Sequence, residues 1–303
     1  MLPEVLPILL ITTPTGQIGR QVLDNLLDGG GAEPIRVLVR DPARLSARAR
    51  DRVEVVQGSM DDADTVAKAF AGVDSAFWVV PPDPHADSLH SHILRYTTPL
   101  LAAIDSQRVP RVVAVSSLGR PVARKAGQIS AVFAMDHLVE STGVHYRSLC
   151  PPGFMENMLR QVASIGGQGV FYGLTSADLR TPTCATRDIA AVATDLLRDG
   201  SWTGQESVPI LGPEDLSPDD LARILTEVLD RPVRYQRIAA ADYKATLVRN
   251  GMSEAAAQGL VDMTTAIEEQ DIYHAEPRTP RGTTPTTFRQ WSEEVLKPAV
   301  LAA

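Results

Sequence analysis

Residues 5–19 read VLPILLITTPTGQIG. Eight residues from Val5 to Thr12 are almost wholly apolar, too few for a buried helix and the right length for a strand covered on both faces. A turn of threonine, proline and glycine follows, and then a helical pattern in which Ile18, Val22, Leu23, Leu26 and Leu27 share one face. Gly29, Gly30 and Gly31 close that helix where a left-handed cap meets no Cβ. A second apolar run, Ile35–Val39, completes strand, turn, helix, strand. This order brings backbone amides and the positive end of a helix to one point, which suits a dinucleotide pyrophosphate. Gly16 lets the backbone approach the phosphates, and Gly19 lets the helix lie close on the sheet. Thr13, Thr15, Gln17 and Ile18 complete the turn, with Thr13 standing where G-x-x-G-x-x-G would place its first glycine.

Working outward, further strands are expected at Val53–Val56, Ser75–Val80, Arg111–Ser116 and Tyr146–Cys150. Helical patterns lie between them: one capped by Asp62, one from Ser88 to Ser106, one from Ala131 to Glu140. The alternation predicts an α/β fold, a doubly wound parallel sheet of the Rossmann type over residues 1–150. After Pro151 the pattern turns mainly helical, predicting a smaller substrate lobe over 151–303, interleaved with the end of the sheet. Ile165–Gly173 is glycine-rich and reads as a loop or lid; a helix at 187–198 leads to an apolar run, Val208–Leu211. Ser217 followed by Pro218 opens a helix through Leu229, others follow near 241–249 and 253–269, and residues 275–286, rich in proline and threonine, read as a surface tail.

Composition narrows the classes. The 303 residues carry a net charge of −8, with 44% hydrophobic and 22% charged residues, as in ordinary globular proteins. No basic run offers a nucleic-acid surface, and no apolar stretch approaches a bilayer span. Glu4 stands where a leader would be positive. Cys150 and Cys184 fit no disulfide framework or metal spacing. The expectation is a cytoplasmic protein, monomer or homodimer, with reduced thiols and no metal, nucleic-acid or membrane partner.

The second strand ends Val39-Arg40-Asp41-Pro42, at the place where this fold reads the adenosine ribose. An acid there accepts from the 2′-hydroxyl of NAD, whereas an arginine pairs with the 2′-phosphate of NADP. Arg40 therefore selects NADP(H), provided Asp41 serves only to cap the next turn.

With those residues in view, the chain resembles the NmrA-like branch of the atypical short-chain dehydrogenases/reductases. The likeness rests on TGQIG, VLVRDP, GVDSAFWVVPP, VVAVSSLG and CPPGFMEN, and on the later TRDIAAVA and ILGPEDLSPDDLA. It implies that Ser59 and Met60 lie near adenine, Val80 and Pro81 beside the ribose, and Ser116 with Pro151 near nicotinamide. It also implies that Phe154, Met155 and Asn157 face a substrate cleft, an apolar or aromatic small molecule being what their side chains suit. One departure is prominent. Members of the wider superfamily carry Y-x-x-x-K after the fifth strand, and an alignment on Gly143-Val144-His145-Tyr146 puts Gln128 and Val132 there. Lys125 falls before that helix.

Without that pair, the proton donor is sought elsewhere. Ser117 follows the fifth strand at the carboxyl edge where ligands bind; His137 offers an imidazole, a side chain suited to acid–base work; Tyr172 offers a phenol in the lid candidate. His90 and His92 lack a third metal ligand and read as solvated. The pattern predicts an NADPH-dependent reductase of a carbonyl, imine or quinone-like group. An NADP(H) sensor without turnover and a non-redox cyclase or dehydratase are the alternatives the missing pair leaves open.

Overall fold

The computed structural model describes residues 6–303, so Val5 at the head of the first strand lies outside the described residues. The chain runs β1 Ile8–Thr12, α1 Gln17–Asp28, β2 Ile35–Val39, α2 Ala47–Arg50, β3 Glu54–Gln57, α3 Ala63–Phe70, β4 Val73–Trp78, α4 Leu89–Gln107, β5 Arg111–Val115, α5 Gln128–Ser141 and β6 His145–Cys150. It continues through β7 Gly153–Phe154, α6 Val162–Gln168, β8 Val170–Gly173, β9 Thr181–Cys184, α7 Thr186–Arg198, β10 Gln205–Pro209, β11 Asp215–Leu216 and α8 Pro218–Leu229. It closes with β12 Arg234–Arg237, α9 Ala240–Arg249, α10 Glu254–Glu269, α11 Phe288–Trp291 and α12 Lys297–Leu301.

Seven strands form one parallel sheet in the order β10-β6-β5-β4-β1-β2-β3. The chain winds outward from β1 in both directions, β2 and β3 to one side and β4 to β6 to the other. Its strand order reverses between β1 and β4, which opens a crevice at their carboxyl ends. Leu9 and Ile11 join α1 and α7 in one apolar layer, while Leu10 joins α3, α4 and α5 in the other. Alternate β1 side chains thus feed opposite layers, which is why the run is apolar throughout.

Local chemistry places the helix ends. The side chains of Asp62 and Ser88 accept from the backbone N–H of Thr65 and Ser91, capping α3 and α4. Ser217 and Asp220 form a reciprocal capping box with Pro218 at the first helical position of α8. Arg36 is buried in β2, where it donates to the carbonyls of Ala69 (2.9 Å) and Ala71 (2.6 Å) and so satisfies the end of α3.

Past residue 150 the chain continues to serve the sheet: β10 pairs with β6, and α7 packs on α1. Among the remaining elements, α6, β8, α8, α11 and α12 bury a separate apolar cluster that includes Ile165, Phe171, Leu225, Phe288 and Trp291.

Two readings of this half are corrected. Ile165–Gly173 is not a loop: it is the end of α6, a left-handed glycine at Gly169 (φ 63°) and strand β8, which pairs with β12. Nor does the proline- and threonine-rich tail stay wholly on the surface. Thr284 and Thr286 are buried, Thr284 donates to the Leu211 carbonyl (3.1 Å) and Thr286 to Asp188 (2.8 Å), locking the tail against the sheet exit and α7. Among the described residues no helix is long and apolar enough to cross a membrane.

Candidate active site

The turn after β1 is tight. Thr13 takes a left-handed conformation (φ 50°), an unusual state for a β-branched residue and the one that a glycine would adopt freely. Its carbonyl accepts from the Gly16 N–H (2.9 Å). A Cβ on Gly19 would collide with that carbonyl oxygen and stand 3.0 Å from the Thr12 carbonyl oxygen, so only glycine fits there. Gly16 is the N-cap of α1 and, having no side chain, leaves the first amides of the helix uncapped; no acidic residue lies in the first turn. Such an end accepts an anion readily. Thr12 ties this turn to β4, donating to the Phe77 carbonyl (2.8 Å). Thr15 is half-buried, Gln17 exposed and Ile18 buried.

Arg40 ends β2 exposed, and Asp41 turns its carboxylate to the Ala43 N–H (3.0 Å), capping the short turn that follows. The condition set from the sequence is therefore met: Asp41 is engaged in a cap. Arg40 makes no ion pair among the described residues, and its charge is felt at the Tyr96 phenol of α4, as is that of Asp61. Ser59 is half-buried and Met60 buried at the end of β3. Val80 and Pro81 are half-buried past β4, and Pro151 is buried past β6. These residues fit a dinucleotide: an uncapped helix end for its phosphates, and a free guanidinium at the ribose end of the same crevice.

At the end of β5 two adjacent serines part ways. Ser116 donates to Asp136 (2.5 Å), so its hydroxyl proton is engaged. Ser117 is buried to 8% exposure with no side-chain partner among the described residues. Asp136 is the hub that sequence reasoning missed. It is fully buried on α5 and accepts from Ser116, Tyr146 (2.6 Å) and Ser148 (3.1 Å), with Arg120 paired at 2.8 Å. Arg120 also holds Glu140 at 2.6 Å. Burial, then the Asp136 charge, push the Tyr146 phenol well up, keeping it a donor. The available signal was a carboxylate between inward-facing apolar positions of a helix.

The remaining predicted residues are distributed unevenly. His137 is exposed on α5, nine positions past Gln128 and so about 13 Å along the axis from the carboxyl edge where the helix begins. The fold thus does not bring it to that edge. Met155 turns into the core of the second lobe and is 2% exposed, so it cannot also line an open cleft. Phe154 is half-buried against the layer containing Leu149 and Cys184, and Asn157 is exposed. The Tyr172 backbone is bonded on both sides to Gln161, and its hydroxyl to Gln168 (3.3 Å). Gln128 begins α5 and Lys125 lies before it, while Val132 packs into apolar surroundings. Burial pushes the Cys150 thiol up to about 12, and Cys184 is likewise raised, which makes both inert.

His92 differs from its reading as solvated: it is buried, 2.8 Å from the Pro81 carbonyl through Nε2, and it packs on Tyr96. A helical arm covers this edge. Ser253, the N-cap of α10, donates to the Pro84 and Ala86 carbonyls (2.9 and 2.7 Å), and α10 crosses so close to Gly127 that a Cβ there would strike the Gly259 carbonyl. One cavity of about 510 Å³ is lined by the end of α10 and the start of α9, with Leu174, Arg237, Ala240 and Glu268 among its walls. Another, of about 560 Å³, sits at the opposite edge beside Pro110 and His145, remote from the glycine turn.

Fold and turn together define a doubly wound, dinucleotide-binding protein. The chain belongs to the NAD(P)H-binding family, whose sequence profile matches residues 14–200. It is similar to the (4-alkanoyl-5-oxo-2,5-dihydrofuran-3-yl)methyl phosphate reductase of Streptomyces griseus, 28% identical over 94% of this chain and 97% of that one. It is also similar to the NAD(P)H azoreductase of Xenophilus azovorans, 26% identical over 84% and 85% of the two chains. Among solved structures, the NADPH complex of a quinone oxidoreductase from Escherichia coli superposes with a TM-score of 0.78 at 22% identity, covering 95% of this chain and 99% of that one.

Proposed function

We propose that this NAD(P)H-dependent oxidoreductase uses NADPH in preference to NADH and reduces a carbonyl, imine or quinone-like group on an apolar or aromatic small molecule. The observation that carries the cofactor preference is the pairing at the end of β2: Arg40 is exposed and unpaired, while Asp41 is engaged by the Ala43 N–H. An arginine fork there attracts a 2′-phosphate, and the acid that would favour a plain ribose hydroxyl is already used. The reductase assignment draws support from the relatives, which are named as a (4-alkanoyl-5-oxo-2,5-dihydrofuran-3-yl)methyl phosphate reductase, an NAD(P)H azoreductase and a quinone oxidoreductase.

In this proposal the turn from Thr13 to Gly19 and the first amides of α1 hold the pyrophosphate, Arg40 holds the 2′-phosphate, and Ser59, Met60, Val80 and Pro81 line the adenosine half. The reduced nicotinamide supplies the hydride when bound. Ser117 presents a free hydroxyl at the end of β5, in reach of a substrate at the carboxyl edge, while Asp136 keeps Ser116 and the strand end in place. Phe154 and Asn157 lead into the substrate side. The fold's usual tyrosine and lysine are replaced by Gln128 and Val132, so a hydrogen bond to the reacting atom must come from elsewhere on this edge.

Two measurements test the proposal. Calorimetric titration with NADPH and NADH gives the preference, and equal affinities would refute it. Loss of nicotinamide absorbance with a panel of quinones, azo dyes, imines and ketones tests reduction. Tight cofactor binding with silence across the panel would instead favour a sensor.

A further inference from the structure

The short helical turn Ile272–His274 is clamped onto the loop that follows β5. The Gln270 side chain accepts from the Arg124 N–H (2.7 Å) and donates to the Arg124 carbonyl (2.8 Å). The Glu276 carboxylate receives the Gly119 N–H, with its two oxygens at 3.1 and 3.3 Å. Gly119, in a left-handed conformation (φ 91°), presses so closely on Ile272 that a Cβ would collide with it. These contacts seat Tyr273 in the apolar cluster of Leu118 and Cys150, directly beyond the ends of β5 and β6, with Cys184 also near.

Tyr273 is 9% exposed, and its hydroxyl has no hydrogen-bond partner among the described residues. A phenol buried this far ordinarily finds a partner, because leaving a hydroxyl without one costs free energy. Its oxygen is nonetheless not among the side-chain atoms that are sealed off without a partner, so it keeps a small accessible surface. Ser117, one residue before Leu118, likewise has a hydroxyl that is neither bonded nor sealed.

We propose that Tyr273, delivered from the far end of the chain, is a catalytic hydrogen-bond donor to the reacting oxygen or nitrogen of the substrate, filling the role vacated at Gln128. This rests on the reductase reading above. As a ketone or imine carbon, or the conjugated system of a quinone, accepts the hydride from the reduced dinucleotide, which is oxidised, an electron pair moves onto the substrate's oxygen or nitrogen. The Tyr273 O–H stabilises that developing charge without giving up its proton, and water supplies the proton that completes the product. Burial raises the phenol's pKa, and among the described residues no cation acts on it to stabilise a phenolate, so a neutral donor is the form this site maintains.

Tyr273→Phe keeps the ring and removes only the hydroxyl. With a panel quinone such as menadione, kcat should fall about 100-fold, the usual loss for one such donor, by the same factor at every pH across the neutral range. NADPH affinity should not change. In a readout without turnover, menadione binding to the NADP+-loaded protein should weaken about 5-fold. Undiminished kcat and menadione affinity in a variant with the wild-type Tm overturn the inference. A loss that varies steeply with pH overturns the neutral-donor role in favour of proton transfer. Silence of the wild type with every panel compound overturns the reductase reading itself, and this inference with it.

Discussion

The two glycines of the turn make opposite demands, and exchanging each for alanine separates packing from ligand binding. At Gly19 the new methyl would collide with the Thr13 carbonyl oxygen and lie 2.9 Å from its carbon. Those are backbone atoms of a turn already held left-handed at Thr13, with no flexible side chain to yield. Overpacking of this kind costs about 1–3 kcal/mol. Alanine returns up to about 1 kcal/mol of helix propensity. A net loss of about 1 kcal/mol follows, or about 2 °C in Tm for a chain of this size, together with weaker cofactor binding as the turn opens. At Gly16 the nearest atom is the Thr13 carbonyl oxygen at 3.3 Å, and the backbone is extended (φ −82°, ψ 171°), where alanine sits without strain. Stability should change by less than about 0.5 kcal/mol. The methyl nevertheless stands at the mouth of the helix end, so NADPH affinity should fall at least about tenfold, or 1.4 kcal/mol. Calorimetric unfolding and NADPH titration on both variants provide the comparison. A Gly19→Ala protein as stable as wild type would refute the packing argument, and a Gly16→Ala protein that binds NADPH normally would refute the phosphate cradle.

Arg40→Ala should weaken NADPH by about 1.5 kcal/mol, the low end for a charge-assisted bond because the side chain is exposed, and leave NADH unchanged; an unaltered ratio of the two affinities in direct titration would count against the selector. Asp136→Ala strands Ser116, Tyr146 and Ser148 and should cost about 3–5 kcal/mol in denaturant unfolding, whereas a loss under about 1 kcal/mol would mean that the hub is dispensable. Glu276 is held above the ordinary carboxylate range, chiefly by burial and against the pull of the Gly119 N–H. The folded state therefore keeps its proton more tightly than the unfolded chain does, and ionisation removes stability as pH rises from its ordinary value of 4.5 through the raised one. Glu276→Gln, which can still accept from Gly119, should melt higher than wild type at neutral pH and match it below about pH 4; a difference in Tm that does not vary with pH would contradict this.

The sheet was legible because strands buried on both faces leave continuous apolar runs. Ile35–Val39 matches its expected bounds, and the other five strands differ by one to three residues at one end or both. Gly29–Gly31 and Ser217-Pro218 were readable for a different reason, since caps are local chemistry. Residues 165–173 were misread because glycines mimic a loop, while the partner that makes Val170–Gly173 a strand lies at Arg234–Arg237. The same distance hid the rest of the site. Asp136 draws its partners from Ser116, Arg120, Tyr146 and Ser148, and Tyr273 acquires a location only through Gln270 and Glu276. His92 read as solvated because helical spacing does not reveal that the Pro81 carbonyl faces it. Local signals located the cofactor turn; the substrate edge is assembled from contacts that no local pattern encodes.

The clamp on the loop after β5 also sets an order of assembly. Arg124 and Gln270 are separated by 146 positions, and Gly119 and Glu276 by 157. On the ribosome, β1 to β6 and the glycine turn emerge complete while more than a hundred residues remain to be made, a delay of roughly 6–25 s at ordinary synthesis rates. For that interval Leu118 and Cys150 lack their cover and α1 lacks the packing of α7, but every residue of the phosphate cradle itself has been made. Dinucleotide bound to the nascent sheet would stabilise it by mass action, so the cofactor can act as a folding ligand before there is an enzyme for it to serve.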